Sequence, residues 1–285
     1  MLFTEVPLKK ICMVSICYNS YGYAKKLVES VQASLQAQNL VHIDFVLSDN
    51  STNTDSNDYF DQVAPTEFFQ FHYLKNNNVG YFPGFYRGLT QVPSVAANLA
   101  NYDYVIVSNV DLEVDSTFFN QLAQADIAPD VGVIAPCILS RYSGGDINTQ
   151  KLERPARRKL WLLSLLFRSP LLFRWYAAAY DVKAKRNCQQ PKPVTQSPYV
   201  YSPHGSFIIF TKAYLAAGAS LNYPRFLFGE ELFVAEEAAL HKLKIQHYPQ
   251  VIVHDNEHAS TSAESRRFIC AEQVKSYQYL LSKYF

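Results

Sequence analysis

Tyr102-Asp103-Tyr104-Val105-Ile106-Val107-Ser108-Asn109-Val110-Asp111 is the stretch on which the reading of this chain turns. A β-rich apolar run of strand length stops at a polar cluster that ends in a carboxylate. A strand apolar on both faces is covered on both sides, which is the habit of parallel sheets. Polar groups at the carboxyl end of such a strand lie where open α/β sheets bind ligands. The same arrangement occurs three times upstream. Ile11–Tyr18 runs into Asn19, His42–Leu47 into Ser48-Asp49-Asn50-Ser51, and Phe68–Leu74 into Asn76-Asn77-Asn78. Between the first two, residues 23–37 carry Leu27, Val28, Val31 and Leu35 at helical spacing, and a second helix is expected over about 84–99. Val131–Ile138 reads as a fifth strand. This alternation predicts an α/β fold: a doubly wound, mainly parallel, Rossmann-like sheet flanked by helices, with a nucleotide site along its carboxyl edge.

The second half is less regular. Leu160–Tyr180 is apolar and aromatic but interrupted by Arg168, Pro170 and Arg174, and 189–197 is a Pro-rich loop. Val200–Thr211 reads as a strand kinked at Gly205-Ser206. Residues 231–243 have helical character, Ile245–His254 is strand-like, and 263–284 form an amphipathic terminal helix.

Composition narrows the function classes. The 285 residues carry a net charge of +1, which argues against a nucleic-acid binder. The charge is unevenly spread. Lys151–Arg186 holds ten Lys or Arg against two Asp or Glu, a local +8 that leaves −7 for the rest. Such a block suits an anionic surface. Five scattered cysteines without a CxxC pair argue against a disulfide framework or zinc site and for a reducing compartment. The N-terminal MLFTEVPLKK has no apolar core of signal-peptide length, and no segment nears the roughly 20 apolar residues of a membrane span.

Six clusters could carry chemistry, each with an ordinary structural reading beside it. Asp49 could accept a pyrimidine imide N–H, with Asn50 and Ser51 beside it, or the triplet is an Asx turn. Asn78-Val79-Gly80-Tyr81 followed by Gly84 could bring backbone close to a phosphate, or form a plain strand-to-helix turn. Ser108-Asn109-Val110-Asp111 could hold a divalent cation through Asp111, with Glu113 adding charge, or cap a helix. His204-Gly205-Ser206 leaves room for a sugar or acceptor, or is a β-bulge. Phe228-Gly229-Glu230-Glu231 puts two carboxylates at a helix start in an apolar setting, which suits a general base; Glu236 and Glu237 further on read as a solvated helix face. His254 could bind metal or diphosphate, and His258 belongs to a polar surface loop.

The order of these clusters resembles the inverting family-two glycosyltransferases, and within them the rhamnosyltransferase-type enzymes of surface polysaccharide synthesis. The resemblance spans about Ile11–Ser262 and implies the GT-A fold, read as one domain in three parts. These are a nucleotide-sugar-binding half at 1–150, a basic aromatic helical insertion and loop at 151–198, and an acceptor-binding and catalytic half at 199–285. It implies a donor such as dTDP-rhamnose or a UDP-hexose, a glycan or lipid-linked glycan acceptor, and Mg or Mn. By resemblance, Asn19 and Asp49 hold the base, Asn78 and Gly80 lie near nucleotide and sugar, Ser108 and Asn109 lie near the ribose, and Tyr18, Asn50 and Gly84 belong to the same donor-nucleotide site. Asp111, with His254, takes the metal, and His204, Gly205 and Ser206 meet the acceptor. Glu231 or Glu230 serves as base. The sequence departs from the family pattern in keeping one acid at Asn109-Val110-Asp111, in its Glu-Glu pair, and in Pro83.

Arg157-Arg158-Lys159 and the Trp- and Leu-rich residues after it predict a peripheral contact with an anionic membrane through 154–180, or else a helical subdomain packed on the sheet. The expected setting is the cytoplasm, on the inner face of the cell membrane. Two other readings are a nucleotidyltransferase, disfavoured because Cys17-Tyr18-Asn19-Ser20-Tyr21 lacks a Gly-rich basic loop, and a non-catalytic glycan-binding scaffold.

Overall fold

Alternate residues of the first strand pack on opposite sides of one sheet. Ile11, Met13 and Cys17 belong to one buried apolar cluster, and Cys12, Val14 and Ile16 to another. The sheet is therefore covered on both faces, as the all-apolar run requires. This is seen in a computed structural model that describes residues 7–36, 40–53, 58–141, 144–149, 152–169, 171–176, 198–256 and 265–285.

The strands are β1 (Lys9–Cys17), β2 (Val41–Asp49), β3 (Phe69–Lys75), β4 (Tyr104–Asn109), β5 (Leu112–Val114), β6 (Val131–Ser140), β7 (Tyr199–Val200), β8 (Phe207–Thr211) and β9 (Lys244–Asp255). They form one sheet in the order β3-β2-β1-β4-β8-β6-β9-β5, with β7 paired to β9. β3, β2, β1 and β4 run parallel, and β6 and β9 are parallel to each other; β8, β5 and β7 run against their neighbours. Strands from both halves of the sequence thus share a single mixed, mostly parallel sheet.

The described helices are α1 (Tyr21–Gln36), α2 (Asp58–Asp61), α3 (Tyr81–Gln91), α4 (Pro93–Asn98), α5 (Phe118–Ala123), α6 (Arg157–Leu166), α7 (Lys212–Ala216), α8 (Glu230–Leu240) and α9 (Arg266–Lys283), with a further helical turn over 171–176. Helices α1 and α5 cover the first face, and α3, α7 and α8 the second. Some elements differ from their sequence reading. The helix expected over 84–99 starts earlier, at Tyr81, and breaks before Pro93, whose ring removes a backbone donor and opens a new helix at its first position. The strand expected over Val200–Thr211 is two strands separated by a loop that holds His204-Gly205-Ser206. The Pro-rich 189–197 and His258 lie outside the described residues.

Glu236 and Glu237 overturn a further expectation. They are buried, not solvated. Arg154 donates to both oxygens of Glu236, at 2.8 and 2.6 Å, and to the Tyr284 carbonyl at 2.9 Å. Glu237 accepts from Ser220 N–H, Lys283 and the Tyr284 hydroxyl. Burial pushes its carboxyl pKa up, but those bonds outweigh burial and hold it below the ordinary value. A carboxylate can leave water when several charge-assisted bonds replace the lost hydration. The two acids tie α8 to α9 and to the segment before α6.

Candidate active site

The strand order reverses between β1 and β4: the chain leaves β1 for β2 on one side, while β4 faces β8 on the other. Loops diverge at such a point and open a crevice beyond the carboxyl ends. A cleft occupies it, and six separate segments line it. Tyr18 and Ser20 come from the end of β1, Asn50 from the turn after β2, and Asn78, Gly80 and Tyr81 from the turn into α3. Asn109 and Asp111 come from the end of β4, and His204, Gly205 and Ser206 from the loop before β8. Phe226, Phe228, Glu230 and Glu231 close the far side at the start of α8.

Backbone geometry fastens these segments together. Asn109 N–H donates to the Ser206 carbonyl at 2.9 Å, joining the end of β4 to the His204–Ser206 loop. Tyr81 N–H donates to the Phe226 carbonyl at 2.9 Å, and the Tyr81 hydroxyl to the Gly205 carbonyl at 2.8 Å. Burial, and then the charges of Glu230 and Asp111, push the Tyr81 phenol well up, so it remains a neutral donor. Gly80 has φ +92°, and a Cβ there would lie 2.2 Å from the Phe226 carbonyl oxygen. Only glycine permits both that backbone and that approach.

The acidic pair is held by its own local chain. Phe228 (φ 67°) and Gly229 (φ 84°) are consecutive left-handed residues, and Gly229 caps α8. A left-handed Phe is strained, and such strain gathers at functional sites. The Tyr223 hydroxyl fixes the turn by donating to the Phe228 carbonyl at 2.8 Å. Glu230 and Glu231 then fall in the first turn of α8, where the helix dipole favours negative charge. Glu231 Oε1 accepts from Gly205 N–H at 3.0 Å. A Cβ on Gly205 would stand 2.9 Å from Glu230 Oε1, so the acidic pair rests directly on this glycine. His204 Nδ1 lies 2.8 Å from Ser206 Oγ, and His204 N–H donates to Asn148.

Several residues expected at the ligand lie elsewhere. Asp49 is fully buried beside, not in, the cleft wall. Its carboxylate accepts from Ser51 N–H at 2.8 Å, Lys75 at 2.8 Å, Tyr21 at 3.0 Å and Tyr73. Burial pushes its pKa up, but these bonds, the one from Lys75 foremost, hold it below the ordinary carboxylate value. Alternation along β2 explains the placement: Asp49 is in register with Cys17 and Lys75, while Asn50, one residue on, turns to the cleft. Ser108 is likewise inside the sheet, with Oγ 2.7 Å from Ser15 Oγ. Asn19 is an exposed, left-handed residue whose Oδ1 accepts from Thr52 N–H at 3.1 Å, joining the loops after β1 and β2. Gly84 lets α3 approach the Asn50 turn: a Cβ there would meet Asn50 Nδ2 at 2.9 Å, and its carbonyl accepts from Ser48.

His254 is not beside Asp111 in the cleft. It lies opposite Glu113 in the β5–β9 ladder, with Nε2 3.3 Å from the Asp115 carboxylate. Glu113 pairs with Arg141 at 3.2 Å and accepts from Asn256 at 2.9 Å, and does not line the cleft. Among the described residues no group of three or more His, Cys, Asp or Glu is placed to hold a metal ion.

Sequence reasoning missed Phe226 and Leu227 as cleft walls and Asn148 as the support of His204; no periodicity marks them. One polar atom is conspicuous. Asn50 is 1% exposed and its Nδ2 donates to the Gly80 carbonyl at 2.8 Å, but its Oδ1 is buried with no hydrogen-bond partner. A buried acceptor of this kind is costly unless a ligand or water satisfies it.

No protein-family model matches the sequence, and no curated protein matches it. Solved structures do match in fold. S. aureus TarS aligns with a TM-score of 0.51 at 13% identity, covering 87% of this chain and 37% of that one. A shorter S. aureus TarS, residues 1–349, aligns at 0.50 and 14% identity, covering 86% and 60%. GalNAc-T7 with UDP, GalNAc and Mn2+ aligns at 0.54 and 14% identity, covering 93% and 48%. The chain thus spans about 37–60% of the length of these neighbours. With its mostly parallel, curled sheet flanked by helices, it has the GT-A fold of those glycosyltransferases.

Proposed function

We propose that the protein is an inverting glycosyltransferase that moves a sugar from a nucleotide-sugar donor, dTDP-rhamnose or a UDP-hexose, to a glycan or lipid-linked glycan acceptor. One observation carries the reading. Six segments at the reversal point of the sheet bring Asn50, Asn109, Asp111 and the pair Glu230-Glu231 to one cleft. The orphaned Asn50 Oδ1 supports a donor base at that end, since a pyrimidine imide N–H would satisfy it. GalNAc-T7, a neighbour in fold, was crystallised with UDP and GalNAc.

In this reading Glu231, oriented by Gly205 N–H, takes the proton of an acceptor hydroxyl as that oxygen attacks the anomeric carbon. The bond from that carbon to the nucleotide diphosphate breaks on the opposite face, and the configuration inverts. Tyr81, neutral and buried, donates to the Gly205 carbonyl and holds that loop against the pair. Asp111 and the side-chain oxygen of Asn109 suit Mg or Mn in kind, because hard cations prefer oxygen ligands; the diphosphate would furnish the others. Such an ion, when bound, neutralises charge on the leaving group. The retained single acid of Asn109-Val110-Asp111 is the feature favouring a catalytically silent glycan-binding scaffold.

The test is release of nucleoside diphosphate across a nucleotide-sugar panel with manganese. Turnover of one donor, lost in Asp111→Asn, is the expected result. No turnover with any donor, and no change on replacing Glu230 or Glu231, sinks the reading in favour of the scaffold.

The membrane contact belongs to the same proposal. Trp161 (53% exposed), Leu162, Leu165, Leu171, Leu172 and Trp175 (77% exposed) project from α6 and the turn after it. Isolated apolar side chains on a surface are ordinary, but a contiguous group marks an interaction site. Arg157, Arg158 and Lys159 stand exposed at the same place, as binding to an anionic lipid surface requires. No described helix is long and apolar enough to cross a membrane.

A further inference from the structure

We infer that a second cleft behind the acidic pair takes an amphiphile, with its hydroxylated head at Glu230-Glu231 and its apolar chain running along α6 toward the lipid-facing surface. That this amphiphile is the acceptor rests on the glycosyl-transfer reading; that the cleft binds one does not.

The second cleft shares Phe228, Glu230 and Glu231 with the first. The pair is therefore a partition with open space on both sides. A group that must take a proton from one molecule while another reacts needs this placement. The walls of the second cleft are amphipathic, and more polar than those of the first. Leu160 and Leu163 of α6, Leu232 of α8, Tyr277 of α9 and Tyr176 supply apolar and aromatic surface, and Glu153, Lys159 and Gln273 supply polar groups.

Helix α6 is apolar on opposite sides. Leu160 and Leu163, three apart, face the cleft, while Trp161, Leu162 and Leu165 face outward and are exposed. A helix at a water-facing surface shows one apolar stripe, and one apolar nearly all round is surrounded by apolar material. Here protein and cleft supply one side, and a lipid surface would supply the other. The charges agree. Arg157, Arg158 and Lys159 occupy the first turn of α6, which has no acid, so three cations sit at the positive end of the helix dipole. That arrangement weakens the helix, so helix stability does not explain it; attraction to anionic headgroups does. The same helix therefore touches lipid on one side and lines the cleft leading to the acidic pair on the other. An occupant entering from the lipid would keep its chain beside Leu160, Leu163 and Tyr277 and present a polar head to the carboxylates.

The experiment measures equilibrium binding to the full chain of dodecyl glucoside below its micelle concentration, against methyl glucoside. Dodecyl glucoside should bind at least tenfold tighter. Leu163→Glu should remove that advantage, and Trp175→Ser, on the outer surface, should keep it. Tyr277→Ala provides a second cleft variant if Leu163→Glu fails to fold, judged by thermal unfolding. Equal binding of the two glucosides, or full retention of the advantage in the folded cleft variants, overturns the inference. Chain-dependent binding lost in those variants, with no donor turned over, would leave the cleft standing and bring down the transfer reading alone.

Discussion

Glu231→Gln is the change that bears hardest on the site. Gln is close in shape to Glu and keeps an oxygen that can accept from Gly205 N–H, which lies 3.0 Å from Glu231 Oε1. The substitution therefore leaves the loop in place and removes only the basicity and the charge. Losing a charged acceptor for a neutral one lowers stability by about 1 kcal/mol, the difference between charged and ordinary hydrogen bonds. Removing a general base lowers the rate by about 10²–10⁴, or about 3–5.5 kcal/mol on the barrier at about 1.4 kcal/mol per tenfold. The two effects differ enough to be read separately. The assay is steady-state transfer with the donor found in the panel, alongside thermal unfolding. The expected result is a kcat lower by two to four orders of magnitude, a donor KM within about threefold, and a melting temperature within a few degrees of the parent. Glu231 Oε1 is the oxygen that accepts from Gly205 N–H, so Glu230→Gln should lose less than Glu231→Gln. A folded Glu231→Gln within tenfold of parental kcat would refute its role as base.

Other residues give independent tests. Gly80→Ala forces φ +92° on an alanine whose Cβ would lie 2.2 Å from backbone at Phe226, and should destabilise by at least about 1–3 kcal/mol, measured by denaturant unfolding. Asp49→Asn should weaken the fold by about 1–3 kcal/mol at neutral pH, since Asp49 accepts from Lys75, Tyr73, Tyr21 and Ser51. Because the folded pKa of Asp49 is depressed, its contribution is present above the unfolded value near 3.8 and is lost as pH falls through the folded value. The gap between parent and Asp49→Asn should therefore narrow below about pH 4, in unfolding curves taken from pH 7 to pH 2. Trp161→Ser with Trp175→Ser should reduce co-sedimentation with anionic vesicles severalfold; undiminished binding would exclude this face as the contact.

Much of the fold is legible in single stretches. The apolar runs at Ile11 and Tyr102 are strands whose residues are buried on both faces, and burial on both faces leaves a continuous apolar signature; the run at Phe68 is a half-buried edge strand. Strand β5 escaped because Leu112–Val114 is three residues long and is defined by its pairing with β9. The candidate site divides in the same way. Asn109, Asp111, Gly205, Glu230 and Glu231 line the cleft as their clusters suggested. Asp49, Ser108 and His254 do not, because strand alternation sends each to the wrong side of its cluster. Glu236 and Glu237 read as a polar face until Arg154, Lys283 and Tyr284, distant in sequence, are brought to them.

The sequence alone determined the parallel strands of the first half and the polar clusters that end them, because burial and turn chemistry are written locally in residue type and spacing. Tertiary structure alone decided which side chains share the cleft, that the acidic pair stands between two cavities, and that Asn50, not Asp49, faces inward. Those facts depend on register, on the side to which each strand end points, and on contacts between residues more than a hundred positions apart, such as Tyr81 with Gly205.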